Sequence, residues 1–254
     1  YMSVQILDDC IGCGSCVTTC IKKSIQLQNG KAQYSADLCI QCGQCFAICP
    51  TGQIIFNGHT AEEATLLYQN SDKFKQYVIN RRSIRLFQGA LSKNILQNLL
   101  NLASYTPSAR STRTTELLVI GQKKLNEIGV EAAFAISQQM GELQKQEDII
   151  FRNAPHLILA IQPIGQSASQ NQDAVIALTT VELGAQQQTQ DGMQIGTFWC
   201  GYFKTACANS TQLKMKIGVK EGFEVICAMG IGLQSQQFQR PVPREPIQIC
   251  WLDE

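Results

Sequence analysis

Eight of the chain's twelve cysteines fall between Cys10 and Cys49, at spacings that suit metal ligands. Cys10-Ile-Gly-Cys13-Gly-Ser-Cys16-Val-Thr-Thr-Cys20 returns 29 positions later as Cys39-Ile-Gln-Cys42-Gly-Gln-Cys45-Phe-Ala-Ile-Cys49. A 4Fe–4S cube needs four soft thiolates, one per iron, and a C-x2-C-x2-C loop sets three of them at three corners. The fourth has to come from elsewhere in the chain. Gly12, Gly14 and Gly43 allow the backbone to wrap closely around a cube and turn its amides toward the sulfurs. Structural zinc is the alternative, but paired C-x2-C knuckles already supply its four ligands and leave the third cysteine of each run without use. The doubled run therefore points to two 4Fe–4S clusters.

The paired runs resemble two-cluster bacterial-type ferredoxins, in which the fourth cysteine of each run ligates the other cluster. That resemblance implies one cluster on Cys10, Cys13, Cys16 and Cys49, and a second on Cys39, Cys42, Cys45 and Cys20. Pro50 completes the Cys-Pro ending of the second run, and Ile21 takes that place in the first. Between the runs, Ser24-Ile25-Gln26-Leu27 alternates, Asn29-Gly30 signals a tight turn, and Lys31-Ala32-Gln33-Tyr34 follows. This reads as a β-hairpin. Gly52-Gln53-Ile54-Ile55-Phe56 follows the second run in the same way, and Asn57-Gly58 closes a small domain expected over residues 1–59.

The distribution of the cysteines also bears on compartment. A secreted disulfide scaffold spreads its cysteines, whereas only Cys200, Cys207, Cys227 and Cys250 lie beyond the cluster region. The first residues lack the basic-then-apolar pattern of a signal peptide, so a reducing, cytoplasmic setting is expected. Apolar runs such as Leu157 to Ile161 are far too short to span a bilayer. A net charge of +1 with no basic tract gives no reason to expect a nucleic-acid or anionic-membrane partner. Hydrophobic residues make up 44% and mean hydropathy is −0.06, values of a soluble globular chain. Gln fills many positions where Glu or Lys is ordinary, and nothing in the sequence explains it.

Residues 60–254 are expected to form a second, larger domain. Ala61 to Asn80 and Ser92 to Ser104 carry apolar residues at helical spacing, with Ser92 placed to cap the second helix. Leu117 to Ile120 reads as a buried strand ended by Gly121, and Lys123 to Met140 as a helix. Leu157 to Ile161 is a second strand, Asp173 to Ala185 a helix with Ala174, Leu178, Val181 and Ala185 on one face, and Glu224 to Met229 a third strand. Gly230-Ile-Gly232 is expected to terminate that strand, since it lacks the third glycine and acidic partner of a dinucleotide fingerprint. The alternation suggests a layered α/β or α+β domain. Pro241, Pro243 and Pro246 make the tail from Arg240 extended.

Arg81-Arg82-Ser83-Ile84-Arg85-Leu86-Phe87 follows a helix directly. Three arginines and a serine within five residues suit a phosphate held by charge-assisted hydrogen bonds. A basic helix end favoured by the dipole is the plainer alternative. This R-R-S-x-R-x-F stretch, a helix, and Pro107-Ser108-Ala109-Arg110 resemble the nitroreductase family. So do Ala154-Pro155-His156-Leu157-Ile158, Gly196-Thr197-Phe198-Trp199-Cys200-Gly201 and the tail Arg240-Pro-Val-Pro-Arg244-Glu-Pro246, in the right order over most of residues 75–252. A ferredoxin domain ahead of such a domain is itself a family arrangement.

The resemblance implies an α+β fold, with a bacterial-type ferredoxin domain followed by a three-layer FMN domain on a mixed sheet, assembled as a homodimer with FMN at the interface. It implies that Arg81, Arg82, Ser83 and Arg85 grip the FMN phosphate and ribityl chain, with Arg240 and Arg244 reaching it from the tail. Pro107, Ser108 and Ala109 would lie against the flavin from the partner subunit, and Trp199, Cys200 and Gly201 would pass over its ring. The family usually continues the Pro-Ser loop with Asn and a Gln-Pro-Trp-like stretch. Here Ser111-Thr112-Arg113-Thr114-Thr115 stands instead, with Ser111 the candidate contact to the ring edge. Gln187 to Asp191 are extra residues at the end of the preceding helix.

Among the remaining candidates, His156 precedes a buried strand and reads as a packed residue. Cys200 has no histidine nearby in sequence to activate it as a nucleophile. Cys207, Cys227 and Cys250 read as small core residues. No general acid or base stands out. The expected function is an iron–sulfur flavoprotein oxidoreductase that reduces a nitroaromatic, quinone or similar small acceptor, with electrons from reduced ferredoxin or NAD(P)H. The alternative is an electron-transfer or redox-sensing flavoprotein serving a protein partner.

Overall fold

A computed structural model describes residues 4–140 and 148–252, which fall into two compact units: residues 4–80 with 237–252, and residues 81–236. Residues 60–80 and the tail, expected with the second domain, group with the first unit.

The first unit is built from short pieces in two similar halves. Its elements are β1 (Val4–Ile6), α1 (Ser15–Thr19), β2 (Ile25–Gln28), β3 (Lys31–Tyr34), α2 (Gln44–Ile48), β4 (Ile54–Phe56), α3 (Ala61–Gln69) and α4 (Lys73–Asn80). β2 and β3 form the expected hairpin, and Asn29 and Gly30 turn it with φ of 50° and 75°, as a type I′ turn requires. β4 returns antiparallel to β1, with Ile6 opposite Ile54. Phe46, Phe56, Ile25 and Ile54 form a small core to which Phe238 and Val242 of the tail also contribute. The single helix expected over residues 61–80 is two. α3 opens on a capping box between Thr60 and Glu63, and Asp72 restarts the chain by accepting the Lys75 N–H at 2.9 Å.

The second unit holds a six-stranded sheet. It comprises β5 (Phe87–Gly89), α5 (Lys93–Asn101), β6 (Glu116–Gly121), α6 (Gln122–Met140), β7 (His156–Pro163), α7 (Ala168–Ala185), β8 (Thr189–Gln190), β9 (Met193–Trp199), α8 (Gly201–Asn209), α9 (Thr211–Lys216) and β10 (Phe223–Gln234). Strands run in the order β6-β7-β10-β9-β8, with β5 also on β10, and these pairs are antiparallel. A parallel bridge joins Ser83 to Thr197. Helices cover both faces. Leu157, Leu159 and Ile161 pack with residues of α6, α8 and α9, while Ile158 and Ala160 pack with α5 and α7. Burial on both faces is why β7 reads as an unbroken apolar run.

Two expectations change here. β10 does not stop at Gly230-Ile-Gly232 but runs on to Gln234. A Cβ on Gly230 would sit 2.1 Å from the Phe198 ring and one on Gly232 2.6 Å from Pro155, so these glycines admit neighbouring rings to the strand surface. Cys250 is exposed, because the proline-rich tail leaves the core before reaching it, whereas Cys207 and Cys227 are buried as expected. Ser92 caps α5 through the Ile95 N–H. The extra residues after α7 form the β8–β9 hairpin, turned at Asp191-Gly192 with φ of 53° and 76°. Among the described residues no helix is long and apolar enough to cross a membrane.

Candidate functional site

In the first unit, two loops each run into a short helix through a left-handed glycine. Gly14 precedes α1 with φ 77° and Gly43 precedes α2 with φ 70°. Cys10, Cys13, Cys16 and Cys49 line one cavity, and Cys20, Cys39, Cys42 and Cys45 line another. All eight are free thiols. The crossing follows from topology, since α1 and α2 pack together and each run's last cysteine leaves its helix toward the other loop.

The electrostatics follow this grouping. Burial, then repulsion from Cys10, Cys13 and Cys49, pushes the Cys16 thiol up to about 11. Burial, then Cys42, with smaller effects from Cys20 and Cys16, pushes Cys45 to about 12. Thiolates gathered on one cavity thus repel one another until a cationic centre neutralises them. Among the described residues no group of three or more His, Cys, Asp or Glu is placed to hold a single metal ion. Each tetrad lines its own cavity, and three thiols of a C-x2-C-x2-C loop with a crossing fourth are the donor set of a 4Fe–4S cube.

Sulfur neighbours are polar. The Ser24 N–H donates to Cys20 Sγ at 3.3 Å and the Gln41 N–H to Cys39 Sγ at 3.4 Å. Cys13 donates to Ser15 Oγ at 3.5 Å, and Thr51 Oγ1 lies 3.8 Å from Cys49 Sγ. Gly12 is compulsory, because a Cβ there would fall 1.9 Å from the Gly30 carbonyl oxygen and its φ is +66°. Arg240 belongs to this unit. Its Nη1 donates to the carbonyls of Phe46 at 2.9 Å and Cys49 at 2.8 Å. Arg244, four residues on, is exposed.

In the second unit the Arg81 to Arg85 segment is fastened to β9. The Ile84 N–H donates to the Thr197 carbonyl at 2.7 Å, and Ile84 packs so tightly on Gly196 that a Cβ there would lie 2.6 Å away. Glu182 on α7, a residue with no motif around it, organises the group. Its Oε1 accepts from Arg81 Nη1 at 3.2 Å and from Thr197 Oγ1 at 3.4 Å, and its Oε2 accepts the Trp199 indole N–H at 2.9 Å. Arg82 is buried, whereas the Arg81 side chain is 43% exposed. Arg81, Arg82 and Arg85 flank Ser83 along the chain, a donor set whose chemistry suits a phosphate monoester.

Cys200 follows Trp199 as the residue before α8, and its N–H donates to the Ala228 carbonyl at 2.8 Å. Its thiol donates to the Ile150 carbonyl at 3.2 Å, and burial pushes it up to about 12, which rules against a thiolate nucleophile. Gly201 is exposed at the first position of α8. The Pro107-Ser108-Ala109 loop is held elsewhere on α7. Both oxygens of buried Asp173 accept the Ala109 N–H, at 3.1 and 3.0 Å. Pro107, Ser108, Arg113, Thr115 and Asp173 line a cavity of about 240 Å³. Ser108 Oγ is buried with no hydrogen-bond partner among the described residues, and Ser111 is exposed with φ 55°. Asp173 and Glu182 are nine positions apart, roughly 13 Å along the helix. The Ser108 loop and the Arg81–Trp199 group are thus anchored at two separate places on α7.

Fold and site together define an iron–sulfur oxidoreductase of two units. Residues 78–233 match the model of the nitroreductase family, and residues 2–66 match that of a 4Fe-4S dicluster domain. The chain belongs to the nitroreductase family, with a dicluster domain ahead of its catalytic domain.

Solved nitroreductases share the fold. One from Bacteroides fragilis NCTC 9343, with bound FMN, superposes with TM-score 0.61 at 18% identity, covering 71% of this chain and 100% of that one. One from Desulfitobacterium hafniense DCB-2, also with bound FMN, gives 0.60 at 20% identity, covering 72% and 100%. An FMN-dependent nitroreductase from Clostridium difficile R20291 gives 0.60 at 16% identity, covering 71% and 99%. A search of curated protein sequences finds no match.

Proposed function

We propose that the chain is a cytoplasmic, homodimeric iron–sulfur flavoprotein that reduces a small planar acceptor such as a nitroaromatic or quinone. The observation that carries this reading is the pair of thiol tetrads, each gathered on its own cavity, in a chain whose larger part is a nitroreductase-family domain. FMN, when bound, exchanges electrons singly or in pairs, whereas iron–sulfur clusters exchange them singly, so the combination links a one-electron donor to a two-electron acceptor.

In this reading Arg81, Arg82, Ser83 and Arg85 hold the phosphate end. Glu182 fixes the direction of Arg81 and of the Trp199 indole, so that binding does not have to order them. Trp199 to Gly201 supply a rigid backbone edge, pinned by the Cys200 N–H to β10. The separation of the Asp173 and Glu182 anchors supports a second copy, whose own residues 107–109 complete the pocket. The clusters serve as the input path, with reduced ferredoxin as donor and NAD(P)H as the alternative.

The test is anaerobic stopped-flow mixing of the flavin-loaded protein with reduced ferredoxin, followed by turnover with nitrofurans and quinones. Flavin bleaching by ferredoxin and steady turnover are expected. Bleaching by NADPH alone would reject the input path. Negligible turnover by a fully loaded dimer would favour an electron carrier serving a protein partner.

A further inference from the structure

Arg240 is 9% exposed, and its guanidinium is fixed by two carbonyls of one short segment. Phe46 lies in α2, and Cys49, which directly follows that helix, is the residue by which the second run crosses to the first tetrad. One nitrogen of Arg240 thus ties down the helix end and the crossing ligand together. The flanking residues hold Arg240 in place. The Gln239 N–H donates to the Ala47 carbonyl at 2.9 Å, the Phe46 ring lies 5.8 Å from the guanidinium carbon, and Val242 covers Gly43 so closely that a Cβ there would sit 2.3 Å from Cγ1. Residues 238–242 are therefore a built wall of the iron–sulfur unit.

A buried cation beside one ligand of a cluster acts on the charge of that cluster. Reduction adds one electron to a 4Fe–4S core without changing its ligands, so the reduced form is the more negative. A fixed positive charge at close range in a partly dry site favours it. Arg240 donates to the backbone carbonyl of a cluster-ligand cysteine.

We propose that Arg240 is a positioning residue of the cluster held by Cys10, Cys13, Cys16 and Cys49: it fixes the crossing ligand and raises that cluster's reduction potential above the other's. An electron arriving from a low-potential one-electron donor then settles first on this cluster. The inference rests on the iron–sulfur reading of the unit, and iron and sulfide content reports on that reading separately.

The test is potentiometry of the whole protein, with dithionite as reductant and the clusters followed by electron paramagnetic resonance, comparing wild type, Arg240→Gln and Arg240→Lys. Arg240→Gln is expected to keep its iron and lower one of the two potentials, cutting the reduced-to-oxidised ratio of that cluster about tenfold at fixed potential, some 59 mV for one electron. Arg240→Lys, which keeps the charge, is expected to stay near wild type. Unchanged potentials in Arg240→Gln would overturn the proposal, most plainly if flavin were lost instead. So would an equal drop in Arg240→Lys. Should the glutamine variant lose iron, the lysine variant decides alone: a wild-type potential supports the proposal and a lowered one rejects it.

Discussion

Glu182 accepts the indole N–H of Trp199 at 2.9 Å from a position on α7 whose buried neighbours Leu178, Val181 and Ala185 are apolar. The same carboxylate holds Arg81 and Thr197, so one side chain ties a helix, strand β9 and the arginine segment together. The Arg81 partner is half in solvent and contributes modestly. Most of the value lies in satisfying the Trp199 and Thr197 donors next to a packed core.

Glu182→Ala is accordingly expected to destabilise the second unit by about 2 kcal/mol, the usual cost of orphaning a buried donor. Urea unfolding followed by Trp199 fluorescence in a Trp251→Phe background reads it out. Flavin content should fall in step, because Arg81 and Trp199 lose their common anchor. A midpoint equal to wild type would remove Glu182 from this role.

The crossed ligand assignment makes a sharper prediction. The double variant Cys16→Ala/Cys49→Ala removes two ligands from one tetrad and should leave about four irons per chain of an expected eight. Cys16→Ala/Cys45→Ala removes one ligand from each tetrad and should damage both clusters. Equal iron content in the two variants would contradict the pairing.

Much of this architecture was legible in the residues because local chemistry dictates it. The Asn29-Gly30 hairpin, the Ser92 cap and the unbroken apolar β7 each rest on a short-range rule. The β8–β9 hairpin had its own signal in Asp191-Gly192, which the length of the preceding helix obscured. Gly230 and Gly232 misled because a strand interior normally excludes glycine, and only the rings of Phe198 and Pro155 across the sheet explain them. Asp173 and Glu182 carry no motif, yet they are the two charged residues of α7, and that isolation was a usable sign. The partners of Arg240 lie more than 190 positions away in sequence, beyond any local pattern.

Stability should also depend on alkaline pH. Burial raises the thiols of Cys200, Cys207 and Cys227 from 9.0 to about 12, with Cys200 adding to the effect on Cys207. The neutral thiol is the form the fold favours, so this stabilisation is complete below pH 9 and is lost as pH rises toward 12. Between those values the unfolded chain holds fewer protons than the folded one, and each thiol lowers stability by up to about 1.4 kcal/mol per pH unit. Urea midpoints at pH 8, 9 and 10 should fall progressively, and less steeply in Cys207→Ala. A flat profile would mean that these thiols titrate normally. Native alkylation should label Cys250 and spare these three.

Gly230→Ala tests whether β10 admits the Phe198 ring as the packing requires. The added methyl would meet Cε1 at 2.1 Å and Cζ at 2.7 Å, in a ring that itself stands 6.0 Å from Phe87. Phe198 is buried between β10 and the helices on that face, so it cannot swing out to solvent. Overpacking of this kind costs about 1–3 kcal/mol. Gly121→Ala, at a strand end where a Cβ meets nothing within 4 Å, serves as the control and should be nearly neutral. Gly230→Ala should lower the urea midpoint and leave iron content unchanged, because the clusters lie in the other unit. If both alanine variants unfold together with wild type, the ring does not occupy the space above Gly230, and the strand must continue past Met229 for some other reason.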